Sequence, residues 1–431
     1  MNIGDLNQYL KAYLGQSPTP YHAVRAAKEI LERAGFIGLS ERNEWRLEPG
    51  QRYYVTRHDA SLLAFVYGRS GLLETGIRLM GAHTDSPCLK VKPSPERRAH
   101  SYFQLGLEIY GGVLFGPWFD RDLSIAGRVS YRSANGSLCH TLIDFKRPVA
   151  VIPSLAIHLD REVNDKRTIN PQEDMRPILL QVHDETVDFR QLLKAEMVDQ
   201  GCLAAEDDIL EFDLSLYDVQ PAAMVGVREE FIASARLDNL LSCFVILEAI
   251  KSAPAEYSSL MVLNDHEEVG SMSDVGAQGT LLTAFLERLL PEAEQRQRVI
   301  DASLMFSVDN AHGIHPNYPR KHDENHGPIL NQGPVLKINA NQRYATTSDT
   351  ASFARLLADE AKVDLQVFVS RADMACGSTI GPMTAARLGV KTLDIGVPTF
   401  AMHSIRELAG YKDAHDLWRL LCQFVARNQL L

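Results

Sequence analysis

The chain has 431 residues and a formal net charge of −11, with 45% hydrophobic and 23% charged residues. That length leaves room for two or three domains with a sizeable core, and the composition is ordinary for a globular protein. The acidic balance argues against a nucleic-acid binder, which carries a basic face, and no run reaches the roughly 18 apolar residues of a membrane span.

The opening MNIGDLNQYL has neither a basic n-region nor a long apolar stretch, so no secretory signal is expected. Residues 18–35, PTPYHAVRAAKEILERAG, read as an amphipathic helix closed by Gly35. SLLAFVYG (61–68) and GIRLMGAH (76–83) read as strands feeding a buried sheet. From about 92 to 232 short alternating runs take over: YFQLGLEIYG, IAGRVSYRS and SLCHTLIDF. Asn135-Gly136 between two such runs signals a hairpin, and the polar stretch 161–177 reads as a long exposed loop. After 233 the first texture returns. LLSCFVILEAI (240–250) suits a buried helix. Strand signals SLMVL (259–263), SLMFSV (303–308), DLQVFVS (364–370) and VKTLDIGV (390–397) alternate with helices such as 350–362. This pattern predicts an α/β sheet covered on both faces and interrupted by an inserted β-rich domain. Six scattered cysteines without a C-x-x-C pair suit reduced thiols in a cytoplasmic protein.

In open α/β folds ligands gather beyond the carboxyl ends of the strands. The groups that follow these strands are His83 and Asp85, then Glu267 and Glu268, then Asp309, then His403; Asp238 opens a helix. Singly, each has a plain structural reading: solvated loop charges for the two glutamates, a helix cap for Asp238. H-E-x-x-H is excluded, because position 270 is Gly270. Two imidazoles and three carboxylates from this set, without thiolate, suit two divalent cations such as zinc, cobalt or manganese. Three ligand carboxylates, two such cations and a bridging hydroxide sum to zero charge; without cations the acids repel one another.

Five strings carry a resemblance: GAHTDSP (81–87), RLDNL (236–240), HEEVGS (266–271), VDNAHGIHPNY (308–318) and AMHSIRE (401–407). In this order they resemble the M18 metallopeptidases, the aspartyl aminopeptidase family. QRYATTSD (342–349), ACGSTIGP (375–382) and IPSLAIHLDREVN (152–164) extend the resemblance over nearly the whole chain. It implies a mixed-sheet, three-layer α/β metallopeptidase catalytic domain (1–91 and 233–431) and a β-rich insert (92–232) used for dimerisation or oligomerisation. It implies two cations per subunit, normally zinc: one on His83, Asp238 and Asp309, the other on Asp238, Glu268 and His403. Asp85 would orient His83, and Glu267 would be the general base. The implied reaction removes N-terminal Asp or Glu from peptides. Lys337 is the implied partner of the acidic side chain, with Tyr344 and His312 nearby; His158 would reach a neighbour's active site in a tetrahedral dodecamer. Plainer readings stand beside these: a surface lysine at Lys337, polar rim groups at His312 and Tyr344, a strand histidine at His158. Competing functions are a two-metal aminopeptidase or deacylase of other specificity, a non-catalytic assembly protein on the same fold, and a metal-free binding protein, which the charge count disfavours.

Overall fold

The structure is a computed structural model that describes residues 1–183 and 186–431. The chain forms two compact units. The first comprises Met1–Asp85, Ala222–Met402 and Glu407–Leu431; the second comprises Ser86–Pro221 and His403–Arg406.

The first unit is built on a nine-stranded mixed sheet. Its strands lie in the order Ile37–Leu39, Arg52–Arg57, Ser61–Val66, Ser259–Asn264, Arg78–His83, Leu304–Val308, Lys391–Gly396, Val335–Ile338, Gln366–Val369. The four from Ser259–Asn264 to Lys391–Gly396 run parallel, so their carboxyl ends share one edge. Every residue of Ser61–Val66 is buried, which is why the sequence reads there as a continuous apolar run. Its side chains divide between two cores. Leu62, Ala64 and Val66 pack with the helices Ile3–Gln16, Pro20–Arg33, Leu237–Ser252, Ser348–Ala361 and Asp413–Ala426. Leu63 and Phe65 pack with Leu281–Leu289, Ala293–Asp301 and Ile380–Leu388. Alternation along a strand thus fills two faces, giving three layers. Leu237–Ser252 is buried on all sides from Leu237 to Ile250, as its unbroken apolar run requires. Ile3–Gln16 is an element the sequence reading does not anticipate, although Leu6, Leu10, Tyr13 and Leu14 are spaced for one buried helical face. A separate five-stranded sheet takes in Ala223–Val225, Phe231–Ser234, Glu407–Gly410, Pro398–Phe400 and Ala311–His312.

The second unit holds a six-stranded sheet in the order Leu138–Asp144, Leu123–Arg132, Asp208–Asp218, Cys88–Ala99, Tyr102–Tyr110, Ile178–Gln181. All its neighbours are antiparallel, and Phe189, Leu193 and Met197 of the helix Phe189–Asp199 pack into its core. The expected hairpin closes between Arg132 and Leu138. Gly136 sits at φ +85°, the left-handed conformation that explains glycine after Asn135. The stretch 161–177 is largely exposed and includes one short helix, Pro171–Asp174. Among the described residues no helix is long and apolar enough to cross a membrane.

Candidate metal centre

The parallel register explains how distant residues meet. Asn264 lies beside His83, and Ser307 beside Gly81. Two more steps along both strands bring Asp309 level with His83, and the turn after Asn264 brings Glu267 and Glu268 to the same edge.

Three carboxylates face one imidazole nitrogen. His83 Nε2 lies 3.6 Å from Asp238 Oδ1, 3.9 Å from Glu267 Oε2 and 3.9 Å from Asp309 Oδ1. These separations are too long for hydrogen bonds. They suit atoms around a common ion: ligands about 2.1 Å from a tetrahedral cation stand about 3.4 Å apart. His83, Asp238 and Asp309 each offer a ligand atom within 4.8 Å of the others, and so do His83, Glu267 and Glu268. The donor set is nitrogen and oxygen without sulfur, which fits zinc and its neighbours.

Each side chain is held from behind. His83 Nδ1 donates to the Asp85 carbonyl at 3.1 Å, which leaves Nε2 facing the acids. The Asp85 carboxylate, 3.4 Å from the same nitrogen, also accepts the backbone N–H of Glu267 (3.1 Å) and of Glu268 (3.0 Å). One buried aspartate therefore fixes both the imidazole and the turn carrying the paired glutamates. That turn, Glu267–Val269, ends at Gly270 with φ +97°. The position that breaks the H-E-x-x-H pattern is thus one where the backbone favours glycine. Asp238 is more than a cap, since its carboxylate points to His83. Its backbone N–H donates to Glu407 Oε2 at 2.9 Å, and Asn239 Nδ2 donates to the Val308 carbonyl at 2.8 Å, beside Asp309. Glu407 and Asn239 are supports that sequence reasoning left without roles, although both stand inside the strings quoted for the resemblance.

Electrostatics show the strain of gathering these acids. Burial chiefly, and then Asp309, Asp85 and Asp238, push the Glu267 carboxyl up to about 7, against the pull of His83. Burial works against charge on His83, but Asp309 and Asp85 outweigh it and raise the imidazole well above its ordinary value. Burial also opposes charge on Asp309, yet Lys337 and His83 hold it below the carboxylate range. Such a cluster calls for positive charge, which a divalent cation supplies.

Lys337 is not the surface lysine of the plainer reading. It is 2% exposed, on Val335–Ile338 opposite Asp394. Its Nζ lies 3.5 Å from Asp309 Oδ2, donates to the Asn310 carbonyl at 3.1 Å, and stands 4.9 Å from the Tyr344 ring. Tyr344 is buried, and exposed His312 meets Phe368 edge-on at 5.7 Å; His312 and Tyr344 both line a cavity of about 310 Å³. His158 is exposed on a turn of the second unit and not in a strand. His403 begins the short segment counted with that unit, at φ +69°, with Nδ1 3.1 Å from the Gly112 carbonyl.

The family described as Aminopeptidase I zinc metalloprotease (M18) matches residues 13–425. A "Probable M18 family aminopeptidase 2" of Pseudomonas aeruginosa (strain UCBPP-PA14) is 55% identical over 427 residues, covering 99% of each chain. One of the same name from Pseudomonas fluorescens (strain SBW25) is 55% identical over 426 residues, again covering 99% of each. Among solved structures, the Ape4 and Nbr1 complex matches with TM-score 0.94 and 36% identity over 98% of this chain and 86% of that one. The S. cerevisiae mApe1 dodecamer matches with TM-score 0.85 and 28% identity over 98% of this chain and 97% of that one. Since one family model takes in almost every element described above and relatives match end to end, the chain belongs to the M18 family of zinc metallo-aminopeptidases.

Proposed function

We propose that this aminopeptidase removes N-terminal Asp and Glu from peptides, using two divalent cations, zinc by preference, and Glu267 as general base. The observation that carries the reading is the convergence of Asp238, Asp309 and Glu267 on His83 Nε2. His83, Asp238 and Asp309 would hold one cation. By the family resemblance, Asp238, Glu268 and His403 would hold the other. When bound, the pair would lower the pKa of a shared water and polarise the scissile carbonyl. Glu267 would take the water's proton and pass it to the leaving amine, which its place 3.9 Å from His83 Nε2 at the edge of the centre allows. Asp85 keeps the Nδ1 proton in place, so that His83 faces the centre through Nε2.

Acidic preference requires positive charge inside an acidic protein. His312 and Tyr344 line the adjoining cavity, and Lys337 stands behind the Tyr344 ring. Homo-oligomerisation is supported by the dodecamer of the relative mApe1; the β-rich insert, taken as residues 92–232, would make the contacts, and His158 would serve a neighbouring subunit. A cytoplasmic location is supported by six free cysteines.

The test is elemental analysis of the purified protein with rates on Asp-, Glu- and Leu-aminoacyl substrates, before and after chelation. Two cations per subunit, faster Asp and Glu cleavage, and loss of activity with chelator are expected. Fast Leu cleavage moves the enzyme to another specificity; full activity after complete metal removal ends the two-metal reading.

A further inference from the structure

Asp394 is a buried acid that the proposed chemistry does not use. It is 0% exposed, within the strand Lys391–Gly396. A carboxylate in such a place is costly unless its oxygens are satisfied, and both are. The Thr379 hydroxyl donates to Oδ1, and the Ala345 N–H donates to Oδ2 at 2.6 Å. Asp394's own N–H donates to Thr346 Oγ1 at 2.9 Å. In the antiparallel pairing of Lys391–Gly396 with Val335–Ile338, Asp394 stands opposite Lys337, so the two side chains share a face. Burial pushes the Asp394 carboxyl up, and the Lys337 charge is the largest influence pulling the other way.

These contacts lead to the wall of the cavity of about 310 Å³. Ala345 follows Tyr344, and Thr379 stands two positions after Gly377; Tyr344, Cys376 and Gly377 line the cavity. Lys337 Nζ stands 4.9 Å from the Tyr344 ring. Thr379 Oγ1 also accepts the Gly381 N–H at 3.3 Å, at the start of the helix Ile380–Leu388. A Cβ at Gly381 would lie 2.6 Å from each Asp394 carboxylate oxygen, and its nearest neighbours all belong to that group. Glycine there lets the helix start close onto the carboxylate.

We infer that Asp394 is a positioning residue for substrate selection, whose carboxylate holds Lys337 and the segment bearing Tyr344 in one fixed relation. A lysine ammonium rides on a flexible stem, and an anion opposite it on the next strand narrows where the charge can sit. The anion is itself fixed by Thr379 and Ala345, and a fully satisfied buried network is rigid. This inference rests on the acidic preference proposed above, to which Lys337 brings the positive charge; Asp394 acts through Lys337 and touches no substrate.

The experiment compares wild type, Asp394→Asn, Gly381→Ala, Lys337→Met and the double variant Lys337→Met/Asp394→Asn as assembled, metal-loaded enzymes. Each is assayed on Asp- and Leu-aminoacyl substrates, with free L-aspartate as competitive inhibitor, and its urea midpoint is recorded. Asp394→Asn keeps the size and removes the charge and one acceptor. Gly381→Ala keeps every donor and displaces the carboxylate, so it carries the test if Asp394→Asn does not assemble. Both should lower the Asp-to-Leu ratio of kcat/KM by about 10-fold, the scale of one hydrogen bond. The loss should enter through KM on Asp substrates, with weaker L-aspartate inhibition. The double variant should lose no more of the ratio than Lys337→Met alone, because the two residues act as one unit. A wild type without acidic preference overturns both this inference and the proposed function. With the preference present in wild type, three results overturn the Asp394 assignment alone: a ratio that either assembled variant leaves intact, whatever its urea midpoint; equal losses on Asp and Leu substrates; or additive losses in the double variant.

Discussion

Glu267 and Glu268 are neighbours in sequence, yet the proposed chemistry gives them different work. What separates them is direction, set by the turn that Asp85 clamps through both backbone N–H groups. Glu267 Oε2 comes within 3.9 Å of His83 Nε2, close enough to serve a reacting water between them. Glu267→Gln keeps the shape and removes the proton acceptor. Turnover should fall by about 10²- to 10⁴-fold while elemental analysis finds the metal content unchanged. Near-normal turnover would place the base elsewhere, and lost metal would make Glu267 a ligand. Lys337 teaches a related lesson. A lysine in an alternating run reads from sequence as either exposed or functional. Here burial between Asp309 and Asp394 makes it part of the charge balance.

At the scale of elements, the helix Asp413–Ala426 illustrates a buried acid with opposing influences. Asp413 accepts the N–H of Asn331 at 2.8 Å and of Gly333 at 3.0 Å, tying the helix start to that loop. Burial nevertheless dominates and raises the carboxyl to about 7, while those two N–H donors pull the other way. A carboxyl with a raised folded pKa binds its proton more tightly folded than unfolded. Its contribution to stability is full below the ordinary carboxylate value and is lost as pH rises through about 7. Asp413→Asn cannot lose that proton. The stability of wild type relative to the variant should therefore fall by up to roughly 4 kcal/mol between pH 4 and pH 8, read by urea denaturation across that range. A difference that stays flat with pH would mean that Asp413 keeps an ordinary carboxylate pKa in the fold. The strands show what local pattern can carry: Ser61–Val66, Arg78–His83, Leu304–Val308 and Lys391–Gly396 all fall inside the apolar runs that announce them. The opening helix shows what it can hide, because its polar residues are interleaved and its apolar face emerges only when wound at 3.6 residues per turn.

At the scale of the whole molecule, His158 stands on an exposed turn with Leu155, Ile157 and Leu159, which are 59%, 46% and 74% exposed. Such apolar exposure suits an assembly surface. If His158 works in a neighbouring subunit, His158→Ala and Glu267→Gln are each inactive alone. Subunit exchange between them should recover part of the activity, measured against unmixed controls, and dilution to monomer should lower specific activity. Full activity in a dilute monomer would confine each site to its own chain. The sequence by itself determined the α/β alternation, the Asn135-Gly136 hairpin and the kinds of donor that follow the strands. Apolar spacing and turn chemistry are local, and each is written within a few residues. Only the tertiary structure decided that His83, Asp238, Glu267 and Asp309 share a few ångströms, that Asp85 holds two elements at once, and that Lys337 faces Asp309. Those contacts depend on the register of parallel strands far apart in the chain, and register comes from packing both faces of the sheet at once.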